Sequence, residues 1–237
     1  MQIYGPSGLR KFVRVNLQLT LTELRGRYVV HELLGPSDEP SVSCEKDLLH
    51  FNENPGNSIR ADEHGLWKSV LSDKDWTVNA GPLQHRGAHS STNSLFRVAD
   101  IYIPRGAAPC VGYVFQEGDR YAYQLEHYVP GRKIVILGDT YDSRGIMPLC
   151  YDADLLVHEA TQMAIPRELA YRVPQLRKGC SEEEARKAAQ KHGHSTAAMA
   201  GEFAKEIRAK KLCLNHFSVK YAPRPSFSYV STLTDRL

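Results

Sequence analysis

Residues 131–140 read GRKIVILGDT, a short apolar run that ends on Gly-Asp. A run of this length, closed by turn residues, predicts a buried strand that delivers its last polar residue, Asp139, to a site. The same design recurs in ADLLVHEAT at residues 153–161 and in KLCLNHFS at residues 211–218. The second half of the chain is therefore predicted to hold three buried strands that each end in polar residues.

Two stretches of helical composition lie between the second and third of these strands. SEEEARKAAQKHG (residues 181–193) begins with Ser181 as the predicted N-cap and Glu184 at the capping-box position. STAAMAGEFAKEIRA (residues 195–209) follows, with Ser195 as its predicted N-cap. Because strands and helices alternate from residue 133 onward, the sequence predicts an α/β fold.

The first half of the chain is dominated by strand patterns. KFVRVNLQLTL (residues 11–21) and GRYVVHELLG (residues 26–35) alternate polar and apolar positions, which predicts strands. CVGYVFQEGDRYAYQ (residues 110–124) predicts a hairpin that turns at Gly118-Asp119. Residues 87–108, rich in Ser, Gly and Ala, are interpreted as an insertion-like loop.

Composition sets wide bounds on the class of protein. The 237 residues are 42% hydrophobic and 24% charged, and we interpret residues 1–237 as a single globular domain. A formal net charge of +3 is compatible with an RNA partner but does not indicate one. The five cysteines are dispersed, and the first residues lack an apolar signal segment. Together they favour an intracellular location, cytoplasmic or nuclear with the mitochondrion left open, and no membrane span is expected.

Polar residues at predicted strand ends form the candidate site. Asp139 and His216 each follow an apolar run, and Glu159 ends another. His85 follows PLQ, and His194 lies just before a predicted helix, where free backbone N–H groups favour a phosphate. Imidazole and carboxylate are ligand types that zinc takes in proteins, and two adjacent metals suit phosphodiester hydrolysis.

Each of these residues also has a simpler interpretation when taken alone. His158 is most simply a core histidine bonded to a backbone carbonyl, His85 a loop residue and Asp139 a turn residue. The candidate site depends on the ordered series of longer motifs in which Asp139, His194 and His216 lie.

That series resembles ribonuclease Z of the metallo-β-lactamase superfamily. The matching segments appear in the family's order: YGPSGLRKFV, PLQHR followed by CVGYVFQE, GRKIVILGDT, ADLLVHEAT followed by GHSTAAMAGEFA, and KLCLNHFSVKY. The resemblance implies a metallo-β-lactamase-like αββα sandwich. It also implies a zinc-dependent endoribonuclease that removes the 3′ trailer of precursor tRNA, with two zinc ions in a complete site and a homodimer as the family's frequent assembly.

The same resemblance implies a role for each candidate residue. His85 would ligate the first metal, Asp139 would bridge both metals, and His216 would ligate the second. His194 would contact the scissile phosphate or help to protonate the leaving 3′ oxygen. Glu159 would hydrogen-bond His194 and orient it.

One motif of the family is missing from these residues. No His-x-His-x-Asp-His occurs in the sequence, so we expect a sandwich that is incomplete at its N-terminus and a chain that alone cleaves precursor tRNA poorly or not at all. Two alternatives stay open: a non-catalytic remnant that acts as an RNA-binding or interaction module, and another metallo-β-lactamase-fold hydrolase of small esters or thioesters. The HEAT and GHST motifs argue against the latter.

Overall fold

A computed structural model describes residues 1–41, 51–84, 95–98, 101–104, 110–122, 127–166, 170, 179–218 and 221. The helices bounded within these residues are α1 (Leu9–Leu19), α2 (Met147–Cys150), α3 (Glu182–His192) and α4 (Ala197–Glu206). The strands are β1 (Gln2–Pro6), β2 (Tyr28–Leu34), β3 (Glu53–Asn54), β4 (Ser58–Arg60), β5 (Trp67–Ser72), β6 (Trp76–Leu83), β7 (Leu95–Val98), β8 (Ile101–Pro104), β9 (Cys110–Glu117), β10 (Arg120–Ala122), β11 (His127–Val129), β12 (Lys133–Ile136), β13 (Leu155–Glu159) and β14 (Leu212–Asn215). His85 lies outside the described residues, as does the insertion-like loop expected at residues 87–108 apart from β7 and β8.

The larger sheet has six strands in the order β14-β13-β12-β9-β6-β5. The three apolar runs form β12, β13 and β14, which run parallel to one another, and β9 pairs antiparallel with both β12 and β6. The prediction that all three strands are buried is wrong for β14, because it lies at the end of the strand order and three of its four residues are exposed. Because parallel strands end at the same edge of a sheet, the polar residues after these runs lie together.

The smaller sheet packs on one face of the larger one. It consists of β1, β3 and β4, each running parallel to β2 in its pairing. The Trp67 indole N–H donates to Leu34 O (2.9 Å), and the Tyr113 hydroxyl donates to Tyr4 O (3.0 Å), so polar bonds cross between the sheets. The buried apolar residues between them are Leu33, Trp67, Val70, Val78 and Ala80.

Helices cover the two outer faces. The other face of the larger sheet packs against α4 and the α2 segment, and the buried cluster there includes Val114, Val135, Leu156, Phe203 and Ile207. Each side chain of this kind contributes about 1.5–3 kcal/mol on burial. With α1 against β2 of the smaller sheet, the molecule has four layers in the order helix, sheet, sheet, helix.

Helix α1 corrects the strand predicted within residues 11–21. Its buried residues are four positions apart, which is helical spacing, but both of them, Arg10 and Arg14, are charged. Because arginine occupies buried positions, the apolar residues do not show the helical period, and the sequence alternates polar and apolar residues as a strand does. The strand predicted within residues 26–35 is confirmed as β2.

Ion pairs explain how these arginines are buried. Arg14 makes a two-point pair with Glu53, with Nε–Oε2 at 2.6 Å and Nη2–Oε1 at 2.7 Å. Glu32, fully buried, accepts from the backbone N–H groups of Gly8 and Arg10 at the start of α1, at 3.1 and 3.0 Å. A carboxylate at this position satisfies donors that have no partner inside the helix.

The prediction of a hairpin that turns at Gly118-Asp119 is wrong, because the strands on either side of this turn, β9 and β10, do not pair with each other. Strands do flank this turn, but β10 pairs with β11, whereas β9 pairs with β6 over all eight of its residues and with β12 on its other side. Because β6 and β12 occupy both edges of β9, no edge is left for β10.

Candidate functional site

Three parallel strands bring the predicted site residues to one edge of the larger sheet. Asp139 follows β12, Glu159 is the last residue of β13, and His216 follows β14. The register pairs His158 with Leu214 and Glu159 with Asn215, which sets His216 one residue beyond the end of the ladder. The structure places these three predicted strand-end residues at this one edge of the sheet.

The carboxylate of Glu159 is the buried centre of this edge. Its side chain is 1% exposed. Oε1 accepts from Thr140 N–H (3.0 Å), Ser195 N–H (3.1 Å) and His194 Nδ1 (3.1 Å). Oε2 accepts from the N–H and the hydroxyl of Thr161, at 3.0 and 2.6 Å. Five donors compensate for the burial of one carboxylate and tie three chain segments to it.

The segment before α4 presents His194 next to Glu159. Ser195, predicted as the N-cap of this helix, is instead a site residue, since its hydroxyl donates to Thr140 O (2.6 Å). Thr196 caps α4 by accepting from Met199 N–H at 3.2 Å. The cap is one residue later than predicted because the Glu159 and Thr140 contacts hold Ser195. Ser181 caps α3 with Glu184 as predicted.

Asp139, His194 and His216 form a compact trio. One potential ligand atom from each lies within 4.8 Å of those of the other two. Asp139 Oδ1 lies 3.2 Å from His216 Nδ1, and the two imidazole rings are 5.4 Å apart between centroids. The side chains are 40%, 18% and 49% exposed in chain order, so solvent and a ligand can reach them. One carboxylate and two imidazoles are a donor set that suits zinc.

His216 adopts a backbone conformation that most side chains avoid. Its φ is 54°, in the left-handed region. Non-glycine residues held there are uncommon, and such strain is found at functional sites. The Thr161 hydroxyl contacts both His216 O (2.9 Å) and His216 Nδ1 (2.7 Å). Sequence reasoning gave Thr161 no role, although its place two residues after Glu159 in HEAT was a usable signal.

His85, predicted as a metal ligand, lies outside the described residues, but the residue before it belongs to this edge. Gln84 N–H donates to Asp142 O (3.1 Å), and Gln84 O accepts from Tyr141 N–H (2.9 Å) and from the Thr140 hydroxyl (2.9 Å). The end of β6 is thereby fixed to the loop that follows Asp139.

His158 has the structural place expected for it. It is 2% exposed, with Nδ1 2.8 Å from Glu159 O and Nε2 3.1 Å from the Ser143 hydroxyl. Burial lowers its pKa, which favours the neutral ring. The side chain lines a cavity of about 350 Å³, and its contact with Ser143 helps to order the loop at residues 140–143.

Comparisons with known proteins agree with this geometry. No family model matches the chain. Zinc phosphodiesterase ELAC protein 1 of Homo sapiens is 32% identical over 249 residues, covering 94% of this chain and 63% of the relative. Ribonuclease Z of Brevibacillus brevis is 45% identical over 225 residues, covering 93% of this chain and 59% of the relative. The crystal structure of human tRNase Z, short form, aligns with a TM-score of 0.55 at 32% identity, over 93% of this chain and 62% of that one.

The chain is a homologue of ribonuclease Z. The resemblance predicted from the motifs is confirmed, as is the metallo-β-lactamase-like α/β class with its four layers. The chain spans about three fifths of the length of the ribonuclease Z relatives that it matches. Among the described residues, no helix is long and apolar enough to cross a membrane, and Cys110, Cys150, Cys180 and Cys213 are free thiols.

Proposed function

We propose that this chain acts in the zinc-dependent endonucleolytic removal of the 3′ trailer from precursor tRNA. The observation that carries the proposal is the trio of Asp139, His194 and His216, gathered within 4.8 Å at one sheet edge beside the buried Glu159. Homology to ribonuclease Z over 93% of the chain supports the same reaction.

Zinc is the proposed cofactor, with Asp139 as the ligand shared by two ions and with His216 and His85 as further ligands. The trio fits this assignment because its oxygen and nitrogen donors converge and stay accessible. The assignment of His85 as a ligand is supported by the contacts that hold its neighbour Gln84 beside Thr140. Zinc would lower the pKa of a bound water and neutralise charge on phosphate oxygens.

His194 and Glu159 are the proposed catalytic pair. The Glu159 carboxylate accepts from His194 Nδ1, so it fixes the orientation of the ring. A proton held on Nε2 of His194 would pass to the leaving 3′ oxygen of the tRNA. The position of His194 in the trio also suits a metal ligand, and zinc affinity of a His194 variant separates the two roles.

The proposed substrate is precursor tRNA, and we extend the proposal to a single domain over residues 1–237, a homodimer and an intracellular location in cytoplasm or nucleus. Trailer release by these residues alone is expected to be slow, since His-x-His-x-Asp-His does not occur among them. The proposal therefore has two measurable consequences: the trailer is released slowly, and its release depends on the trio.

The test combines zinc content with trailer release on the purified chain. Asp139→Asn and His216→Ala are expected to weaken zinc binding at least tenfold and to abolish any release of the trailer. His194→Ala is expected to retain zinc and lose cleavage. Asp152→Asn is the matched control, because Asp152 pairs with Arg208 on the exposed surface.

The outcomes separate the competing functions. Zinc binding that is unchanged in Asp139→Asn and His216→Ala would contradict the proposed site. Gel retardation of precursor tRNA without cleavage would favour an RNA-binding module. Turnover of lactone or thioester substrates above that of tRNA would favour a different hydrolase.

A further inference from the structure

The hydroxyl of Thr161 lies between the two halves of the site. It is 2.6 Å from Glu159 Oε2 and 2.7 Å from His216 Nδ1. We propose that Thr161 is a positioning residue. Its hydroxyl links the Glu159 carboxylate to His216 through hydrogen bonds and fixes the proton of that ring on Nδ1. The lone pair is then on Nε2, the nitrogen that would bind metal, so this inference rests on the proposed function of His216.

Counting protons determines the direction of each bond. A threonine hydroxyl carries one hydrogen, and two acceptor-only oxygens compete for it, Glu159 Oε2 at 2.6 Å and His216 O at 2.9 Å. Whichever oxygen takes it, none remains for His216 Nδ1. A hydroxyl that turned to Nδ1 would leave the 2.6 Å oxygen–oxygen contact with Glu159 without a hydrogen, so we assign the 2.7 Å contact as a bond in which Nδ1–H donates to the hydroxyl oxygen.

Asp139, the second neighbour of His216 Nδ1, also favours a hydrogen on this nitrogen. Asp139 Oδ1 lies 3.2 Å from His216 Nδ1, and an ionised carboxylate only accepts. Both neighbours thus favour the tautomer with hydrogen on Nδ1. The Asp139 side chain is 40% exposed, whereas the Thr161 hydroxyl is bonded to a carboxylate that is 1% exposed, so we expect Thr161 to be the more rigid of the two.

Two further bonds, one from its backbone and one from its hydroxyl, hold Thr161 in place. The backbone N–H of Thr161 donates to the same Oε2 atom that accepts its hydroxyl, at 3.0 Å. The hydroxyl also meets His216 O, on the residue whose backbone is in the left-handed region. Thr161 therefore restrains both the ring and the backbone of His216.

One buried carboxylate consequently orients both histidines of the trio. Glu159 Oε1 accepts from His194 Nδ1 directly, and Oε2 acts on His216 Nδ1 through the Thr161 hydroxyl. Hydrogen bonds of this kind fix the tautomer of ligating histidines and raise their basicity. The arrangement gives Thr161 a function that its place as a small polar residue beside a strand does not reveal.

Nitrogen NMR of the metal-free chain tests the tautomer without reference to activity. In mildly alkaline solution, where free imidazole is neutral, His216 should carry its proton on Nδ1. Thr161→Val keeps the shape and removes the hydroxyl, and it should shift the proton toward Nε2. Thr161→Ser should restore the wild-type pattern. His216→Ala assigns the signal, and Thr77→Val controls for loss of a surface hydroxyl.

Zinc affinity provides the second readout. Thr161→Val should weaken zinc binding about 10–100-fold, the range found when partners of ligating histidines are removed. Thr161→Ser and Thr77→Val should keep the wild-type affinity. Thermal melting identifies any variant that fails to fold, and the serine variant keeps the inference testable in that case.

The two proposals fail in different ways. If Thr161→Val leaves both the tautomer and the zinc affinity unchanged, the positioning role is overturned and the proposed function stands. The role is also overturned if Thr161→Ser behaves like the valine variant in both measurements. If no zinc binds but the tautomer follows the hydroxyl, the metal function fails and the positioning role stands.

Discussion

Glutamine in place of Glu159 keeps the size of the side chain and exchanges one acceptor oxygen for an NH₂ donor. Three donors face Oε1, from Thr140, Ser195 and His194, and two face Oε2, both from Thr161. The amide of the variant will therefore place its oxygen on the Oε1 side. Its NH₂ group then meets Thr161, whose hydroxyl can reverse and accept but whose N–H cannot.

The expected loss of stability follows from this arrangement of donors and acceptors. A buried donor left facing another donor costs about 1–3 kcal/mol, and the remaining bonds lose the assistance of the charge. We therefore expect Glu159→Gln to lower the free energy of unfolding by about 2–4 kcal/mol. At about 2–4 °C per kcal/mol for a chain of this size, the melting temperature should fall by about 5–15 °C.

Thermal unfolding followed by circular dichroism, together with urea unfolding, measures this change. Glu183→Gln is the matched control, because Glu183 forms an exposed pair with Lys187 on α3. Such a pair is worth about 0.3–0.5 kcal/mol, so the control should melt close to the wild type. Equal melting temperatures for Glu159→Gln and Glu183→Gln would refute the reasoning that the five bonds of Glu159 stabilise the fold.

Further predictions concern the rest of the molecule. Arg14→Met should destabilise the chain by about 3–5 kcal/mol in urea unfolding, because it leaves Glu53 buried without its ion-pair partner, and a double variant that also carries Glu53→Leu should recover much of this loss. Hydrogen bonds from Arg132 lower the pKa of Glu117 from 4.5 to about 2, so the stability from this carboxylate is complete above pH 4.5 and is lost as the pH falls toward 2. Acid unfolding should show this component, and Glu117→Gln should remove it. Ser181→Ala should lower stability by about 1 kcal/mol through loss of the cap of α3, and an unchanged urea midpoint would contradict it.

The strands that carry the site could be predicted because their signal is local. Short apolar runs closed by polar residues identified β12, β13 and β14, and a capping box identified the start of α3. Asp139, Glu159 and His216 follow from these elements, since parallel strands end at one edge. Local pattern and elementary geometry are sufficient for this part of the molecule.

Long-range pairing decided what the sequence could not predict. Helix α1 was concealed by Arg10 and Arg14, whose burial depends on partners 22 and 39 residues away. The position of β10 depends on β6 and β12 having filled both edges of β9. The contact between His194 and Glu159 joins residues 35 positions apart, so local patterns proposed both residues but did not predict how close they lie.

Strand β14 has a consequence for how the site forms and how it is lost. It is the edge strand of the larger sheet, and it joins β13 in parallel, so residues 160–211 must close into a crossover before the pair can form. Non-local closures of this kind are slow steps in folding. His216 thus reaches Asp139 only after this closure, and an edge strand with three of its four residues exposed opens more readily than the interior. Fraying of β14 alone is enough to remove His216 while the pocket around Glu159 persists, which makes hydrogen exchange at this strand a direct gauge of how often the site is complete.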